Sequence, residues 1–215
     1  MRKATRVITS TFGTIMAFAG LEHGIGEVLQ GNVAPSGTMF LSWPESAFFR
    51  SLGGEPAMTV IPNLLITGIL AILLSLILFV WATRFIHRKN GGQVMILLSI
   101  ILLLVGGGIF PPVLGLLIGA VGTRIHAPST AWRMHFPVGF PRFLGKLWPG
   151  SFIACLIGWL FMFPGLAILG YFFGVNSPGL IVILLFFDLG TLLIAIFAGF
   201  AYDRQGANSA SAAFE

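Results

Sequence analysis

Residues 93–123 read QVMILLSIILLLVGGGIFPPVLGLLIGAVGT and lie inside an uncharged run that begins at Asn90 and ends before Arg124. As one helix the 34 residues of that run would reach roughly 51 Å, far beyond a hydrocarbon layer about 30 Å thick. The middle supplies a bend. Gly106-Gly107-Gly108 weakens the helix, and Pro111-Pro112 removes donors and turns the preceding backbone away from the α region. The run therefore reads as a hairpin that enters a membrane and returns to the side it left, with arms over 94–109 and 113–123 of roughly 24 and 17 Å. Lipid cannot satisfy backbone freed at such a bend, so protein or water must.

Composition agrees with that reading. Of 215 residues, 56% are hydrophobic and 9% charged, and the mean hydropathy is +0.96, which places the chain in lipid rather than around a wet surface. The expected fold is all-α. It is a polytopic transmembrane helical bundle over 1–202, with four full crossings plus the Gly/Pro-broken hairpin, and a disordered tail at 203–215. The net charge of +5 reflects Lys and Arg held near anionic headgroups on the cytoplasmic side, so nucleic acid is not an expected partner. The single Cys155 lies in an apolar segment and permits no disulfide within the chain.

Toward the N-terminus, residues 60–85 are nearly all Leu, Ile and Val, and Trp81, Arg84, His87, Arg88 and Lys89 mark where that crossing stops. Residues 31–59 form an extracytoplasmic loop. There Ser42-Trp43-Pro44, followed by Phe48-Phe49-Arg50, predicts a short interfacial helix that Gly53-Gly54-Glu55-Pro56 breaks. Arg2, Lys3 and Arg6 ahead of an apolar stretch resemble a leader ending at Ala17-Phe18-Ala19, but Thr9, Ser10, Thr11 and Thr14 interrupt its core. A retained helix over 5–30 is the expectation, with Gly13, Ala17, Gly20, Gly24 and Glu27 on one inward stripe, His23 beside it and Glu22 nearly opposite.

Toward the C-terminus, Arg124, Arg133, Arg142 and Lys146 alternate with Trp132, Phe136, Phe140, Phe143 and Trp148. This is expected to be a cytoplasmic interfacial collar over 124–148 that meets anionic headgroups. Crossings at 149–173 and 180–202 follow. With 90–123 as a hairpin, eleven of the twelve Lys and Arg fall on one side and only Arg50 on the other, whereas a single crossing splits them six and six. The hairpin is thus the expected arrangement, with both termini cytoplasmic in an inner membrane.

Asp188 stands near the middle of the last crossing, on a stripe with Thr191, Ala195, Gly199 and Tyr202. An ionisable group there costs about 2.5 kcal/mol or more and calls for a partner. No Lys or Arg lies at that depth, so Asp188 must be protonated, hydrogen-bonded as interhelical glue, or neutralised by a cation or by His23. His23 and Glu27, four apart, share a face and suit proton exchange, hydrogen bonding or metal ligation. Two ligands do not complete a metal site, and a third would have to come from Glu55, Asp188 or Glu45, so neither metal nor cofactor is assigned. A polar cluster at headgroup level is the plainer alternative. The bend, with Gly107 and Pro111, is of the kind that exposes backbone to an ion or substrate in transporters. Together Asp188, His23, Glu27, Glu22, Glu55, Asn63, Gly107 and Pro111 outline an outward-facing polar cavity floored by the hairpin.

No Walker loop, HExxH, GxSxG or CxxC is present, so the usual soluble-enzyme chemistries have no residues to act through. Three readings follow. The first is a membrane protein that passes or binds a small solute or cation at Asp188, gated by His23 and Glu27. The second is a lipid-modifying membrane enzyme using Glu22, His23 and Glu27. The third is a non-catalytic subunit whose small-residue stripes dock another copy or a partner membrane protein.

Overall fold

The computed structural model describes residues 3–127, 140–175 and 177–211. Its helices are α1 (Lys3–Gln30), α2 (Leu64–Val80), α3 (Gly91–Leu104), α4 (Phe110–Gly122), α5 (Phe140–Leu160), α6 (Leu166–Phe173) and α7 (Pro178–Ser211). A small antiparallel ribbon, β1 (Met39–Leu41) and β2 (Pro56–Met58), stands between α1 and α2. A π-turn over Trp81–Phe85 extends α2, and another over Phe161–Gly165 joins α5 to α6. Three helical stretches, Leu64–Phe85, Phe140–Phe173 and Pro178–Gly206, are long and apolar enough to cross a membrane.

The side-chain distribution is that of a helix bundle solvated by lipid. α2 buries Thr67, Gly68, Ala71 and Ser75 and turns Ile66, Ile69, Leu73 and Leu76 outward. A soluble helix would do the reverse; in lipid, close packing and interhelical hydrogen bonds hold helices together and apolar side chains cover the outside. The predicted stripe on α1 makes these contacts. Gly13 abuts Ala82 and Met95, Gly20 abuts Ser75 and Leu102, and Gly24 meets the Gly68 carbonyl so closely that a Cβ on either glycine has no room. α1 also packs on α4 and α7, which makes it the central helix, with Ile8, Phe12 and Met16 in the core.

The run 90–123 folds back on itself. α3 and α4 lie antiparallel, with Gly92 packed on Gly119 and Thr123, Ile96 on Gly119 and Ser99 on Gly115. The bend passes through Gly106 and Gly108, both in the left-handed region at φ 93° and 82°, where glycine has no Cβ penalty. Its backbone is not left bare. Gly106 N–H donates to Met58 O (2.9 Å), Ile109 N–H to Pro56 O (3.2 Å), and Val60 N–H to Leu104 O (3.0 Å). Thr67 Oγ1 donates to Val105 O at 2.8 Å. The loop strand β2 thus supplies the protein partners that a broken helix needs in an apolar surrounding.

Four expectations are corrected. The stretch 42–50 is not an interfacial helix: it holds turns, and the only helical piece is one 3₁₀ turn, Arg50–Leu52, because the chain there is pairing back on itself as a ribbon. The crossing expected over 149–173 starts earlier, at Phe140, and is interrupted where Phe163 takes extended angles (φ −131°, ψ 112°) ahead of Pro164. That is the backbone region a residue before proline prefers. The collar therefore begins as helix, with Arg142 and Lys146 exposed on α5 and Arg124 exposed after α4; Arg133 lies outside the described residues. Finally, α7 continues past Asp203 to Ser211 into the segment expected to be disordered. It is anchored there because Asp203 accepts from Ala4 N (2.8 Å), Thr5 N (2.9 Å) and Thr5 Oγ1 (2.7 Å).

Candidate functional site

The ribbon register builds the site. Leu41 opposes Pro56, and the next pair in the same register is Ser42 and Glu55, joined by Ser42 N–H to Glu55 O at 3.0 Å. Alternation along a strand puts Phe40 with Ser42, and Ala57 with Glu55, on one face. All four are buried. Sequence local to Glu55 makes the fold-back possible: Gly53, Gly54 and Glu55 all take positive φ, at 71°, 75° and 57°. For Glu55 this is unusual, since a side chain there costs on the order of 1 kcal/mol or more, and such residues cluster at functional sites.

The buried face lies on the C-terminal half of α1. His23 Nδ1 is 2.8 Å from Ser42 Oγ, which donates to Glu27 Oε1 at 3.5 Å. In the tautomer whose Nδ1–H donates to Ser42, the Ser42 hydroxyl turns its own proton to Glu27 and Nε2 carries the lone pair. Nε2 faces Glu55 Oε2 at 3.5 Å. Glu22 completes a group in which one ligand atom each from Glu22, His23 and Glu55 lies within 4.8 Å of the others. Among the described residues, Glu22 Oε1, Glu27 Oε2 and Glu55 Oε1 are buried without a hydrogen-bond partner. Burial pushes the Glu55 carboxyl up to about 7.

The helical bend closes this cluster from the other side. A Cβ on Gly106 would fall on the Glu27 carboxylate, and one on Gly108 on the His23 ring. The glycines therefore serve two needs, positive φ and close approach of backbone to the acid and imidazole.

A cavity of about 340 Å³ opens beside the cluster. Glu22, His23 and Glu55 occupy one part of its wall; the rest is apolar, from Phe18 and Ala19 of α1, Phe48 and Phe49 of the loop, Phe110 and Pro111 of α4, and Trp159, Leu160 and Phe163 along α5 and its kink. Phe110 and Trp159 stack at 5.5 Å between centroids. Of the lining residues, Phe18 on α1 and Leu160 on α5 are 58% and 53% exposed.

Of the residues expected at the site, Glu22, His23, Glu55 and Pro111 line this cavity, and Glu27 stands behind His23 through Ser42. Glu22 does not point away: the loop wraps the end of α1, so both sides of that helix are covered. Gly107 sits in the bend, but its own Cβ position meets Leu102. Asn63 is elsewhere, capping α2 by accepting from Ile66 N at 3.0 Å and donating to Asn32 Oδ1. Asp188 is also apart, fully buried against Gly158 between α5 and α7, both carboxylate oxygens without a partner among the described residues. Ser42 is not among the residues the sequence points to; Gly106 and Gly108 are expected only as parts of the bend, not as the close neighbours of Glu27 and His23. The signal for Ser42 was its equal distance with Glu55 from the ribbon centre, visible only once the strands are paired. The chain matches no family model, no curated protein and no solved structure with which it was compared.

Proposed function

We propose that this is a multi-pass inner-membrane protein that takes an amphipathic, lipid-class molecule from the bilayer into the cavity and holds its polar end at Glu22, His23 and Glu55. The observation that carries the reading is the cavity itself: apolar walls that include the exposed Phe18 and Leu160, and an acid–imidazole group at one end. Such a space complements a molecule with an apolar chain and a polar head. The unprotonated Nε2 and the carboxyls beside it supply a base and acids at the head, so modification of that head is the chemistry that follows. α1, α2, α5 with α6, and α7 serve as the four crossings, and α3 with α4 enters and returns. Both termini lie on the cytoplasmic side with the basic residues, where Arg124, Arg142 and Lys146 meet anionic headgroups.

The test is direct. Protein purified in mild detergent and extracted for mass spectrometry is expected to carry a lipid-class molecule. Ala19→Trp, which fills the cavity, should lose it; Ala120→Trp, on an exposed face, should keep it. Equal lipid in both variants, or none in the unmodified protein, rejects the reading.

One observation favours a second activity. Asp188 is 0% exposed, with neither carboxylate oxygen bonded to a described residue, which suits a proton or cation passing between α5 and α7. Asp188→Asn should then abolish ion- or pH-driven uptake into proteoliposomes, and unchanged uptake removes this role.

A further inference from the structure

We propose that Glu22, His23 and Glu55 bind one divalent transition-metal ion, of the zinc class, with its remaining coordination position turned to the cavity. The inference deepens the reading above and depends on it only for what occupies that last position; the ligand set stands by itself.

Geometry comes first. Two ligands bound to a tetrahedral ion at about 2.0–2.1 Å lie roughly 3.3–3.4 Å from each other. His23 Nε2 and Glu55 Oε2 are 3.5 Å apart, close to that edge. The third ligand atom, from Glu22, falls within 4.8 Å of both, a gap that small rotations of a half-buried Glu side chain close. These residues come from two well-fixed elements, α1 and the paired ribbon.

The chemistry of the donors agrees. In the tautomer whose Nδ1–H donates to Ser42, Nε2 carries a lone pair and faces the Glu55 carboxylate as a second acceptor. Glu55 is 7% exposed and its Oε1 has no hydrogen-bond partner among the described residues; Glu22 has the Trp43 indole beside it. Carboxylates this poor in donors, gathered at an apolar cavity, call for a cation. Two carboxylates and a neutral imidazole balance a divalent charge. An imidazole ligand selects the zinc-like metals over calcium and magnesium, which prefer oxygen alone.

The outer layer is also of the expected kind. A metal-bound histidine commonly gives its other N–H to a carboxylate, directly or through a neighbour, which fixes its tautomer and ring orientation. Here the chain His23–Ser42–Glu27 does this, and Gly106 and Gly108 leave Glu27 and His23 the room to stand there. Three protein ligands leave a fourth position open, the arrangement of sites that work on a bound molecule rather than only brace a fold.

The experiment is a Zn²⁺ titration of the full-length protein, stripped with chelator in detergent, followed by calorimetry and elemental analysis. One ion per chain is expected, with His23→Ala and Glu55→Gln each weakening it at least tenfold. Ser42→Ala, which keeps every ligand, should weaken it about 10- to 100-fold. X-ray absorption should report one nitrogen and the rest oxygen. Because His23→Ala can lose its fold, all variants are checked by size exclusion and helical circular dichroism. Absence of a bound ion in folded protein, or zinc affinity in folded Glu55→Gln and Ser42→Ala equal to that of the unmodified protein, overturns the proposal. Ala19→Trp separates the two readings. If it binds Zn²⁺ normally but no amphipath is ever found, only the lipid reading falls; if the amphipath is present and zinc is not, only the metal falls.

Discussion

Gly108 is the residue on which the space around His23 depends. It needs positive φ, and its missing Cβ is the gap in which the imidazole sits. Gly108→Ala pays twice, for left-handed backbone and for the displaced ring. We expect a loss of about 2 kcal/mol or more in stability, seen as a lower melting temperature in detergent together with weakened Zn²⁺ binding. Gly107→Ala lowers melting through Leu102 but leaves zinc affinity unchanged, because its Cβ points away from the site. Equal zinc affinity in Gly108→Ala and the unmodified protein would contradict the described packing. Glu55 gives a pH prediction. Burial raises its folded-state value to about 7, above that of an unfolded carboxyl. The neutral form is therefore favoured by folding, and the stability it brings is full below about pH 4.5 and lost as pH rises through about 7. In metal-free protein this is on the order of 3 kcal/mol. Melting should fall between pH 5 and pH 8, and the fall should be smaller in Glu55→Gln; a pH-independent midpoint would refute it.

At the scale of elements, the helices were legible and the ribbon was not. The glycine stripe on α1 and the Leu/Ile/Val run of α2 carry their periodicity in the chain itself, so their faces follow from residue spacing. The ribbon is only six residues long in its named strands. Its identity comes from three consecutive positive-φ residues and from partners on the α3–α4 bend, and neither leaves a periodic trace. Ser42-Trp43-Pro44 looks like a helix start for the same reason a capping serine does, yet its backbone is taken up by Gly54 and Glu55. The end of α7 was misread similarly. Its composition is that of a solvated tail, but Asp203 caps α1, meeting free N–H groups and the positive end of the helix dipole. Asp203→Ala should cost about 1–2 kcal/mol, lowering the melting temperature by roughly 2–8 °C for a chain of this size. Zinc affinity should not change, since Glu22 and His23 lie at the other end of α1. A melting point equal to that of the unmodified protein would show the cap to be idle.

For the molecule as a whole, the contacts between helix ends set most of the basic residues apart from Arg50. Asp203 ties the end of α7 to the start of α1, His126 Nε2 meets His87 O at 2.6 Å, and Gln205 Nε2 donates to Pro141 O at 2.8 Å. These bonds gather Lys3, Arg6, Arg84, Arg88, Lys89, Arg124, Arg142, Lys146 and Arg204 at one end of the bundle. Arg50 is at the other, where Ser51 packs on Gly170 and Leu166. What the sequence could not reveal is how the hairpin copes with its length. α3 and α4 have 14 and 13 residues, roughly 21 and 20 Å, too short for a layer about 30 Å thick. The loop strand β2 pairs with the bend, and in doing so it brings Glu55 to His23. The cavity therefore exists only if the hairpin returns to the side it left. We expect single cysteines at Lys89→Cys and Lys146→Cys, in a Cys155→Ser background, to react with a membrane-impermeant maleimide from the same face of sealed vesicles. Glu45→Cys should react from the opposite face. If Lys89→Cys and Lys146→Cys label from different faces, the bend cannot lie beside the outer loop, and Glu55, His23 and Gly108 cannot belong to one site in the membrane.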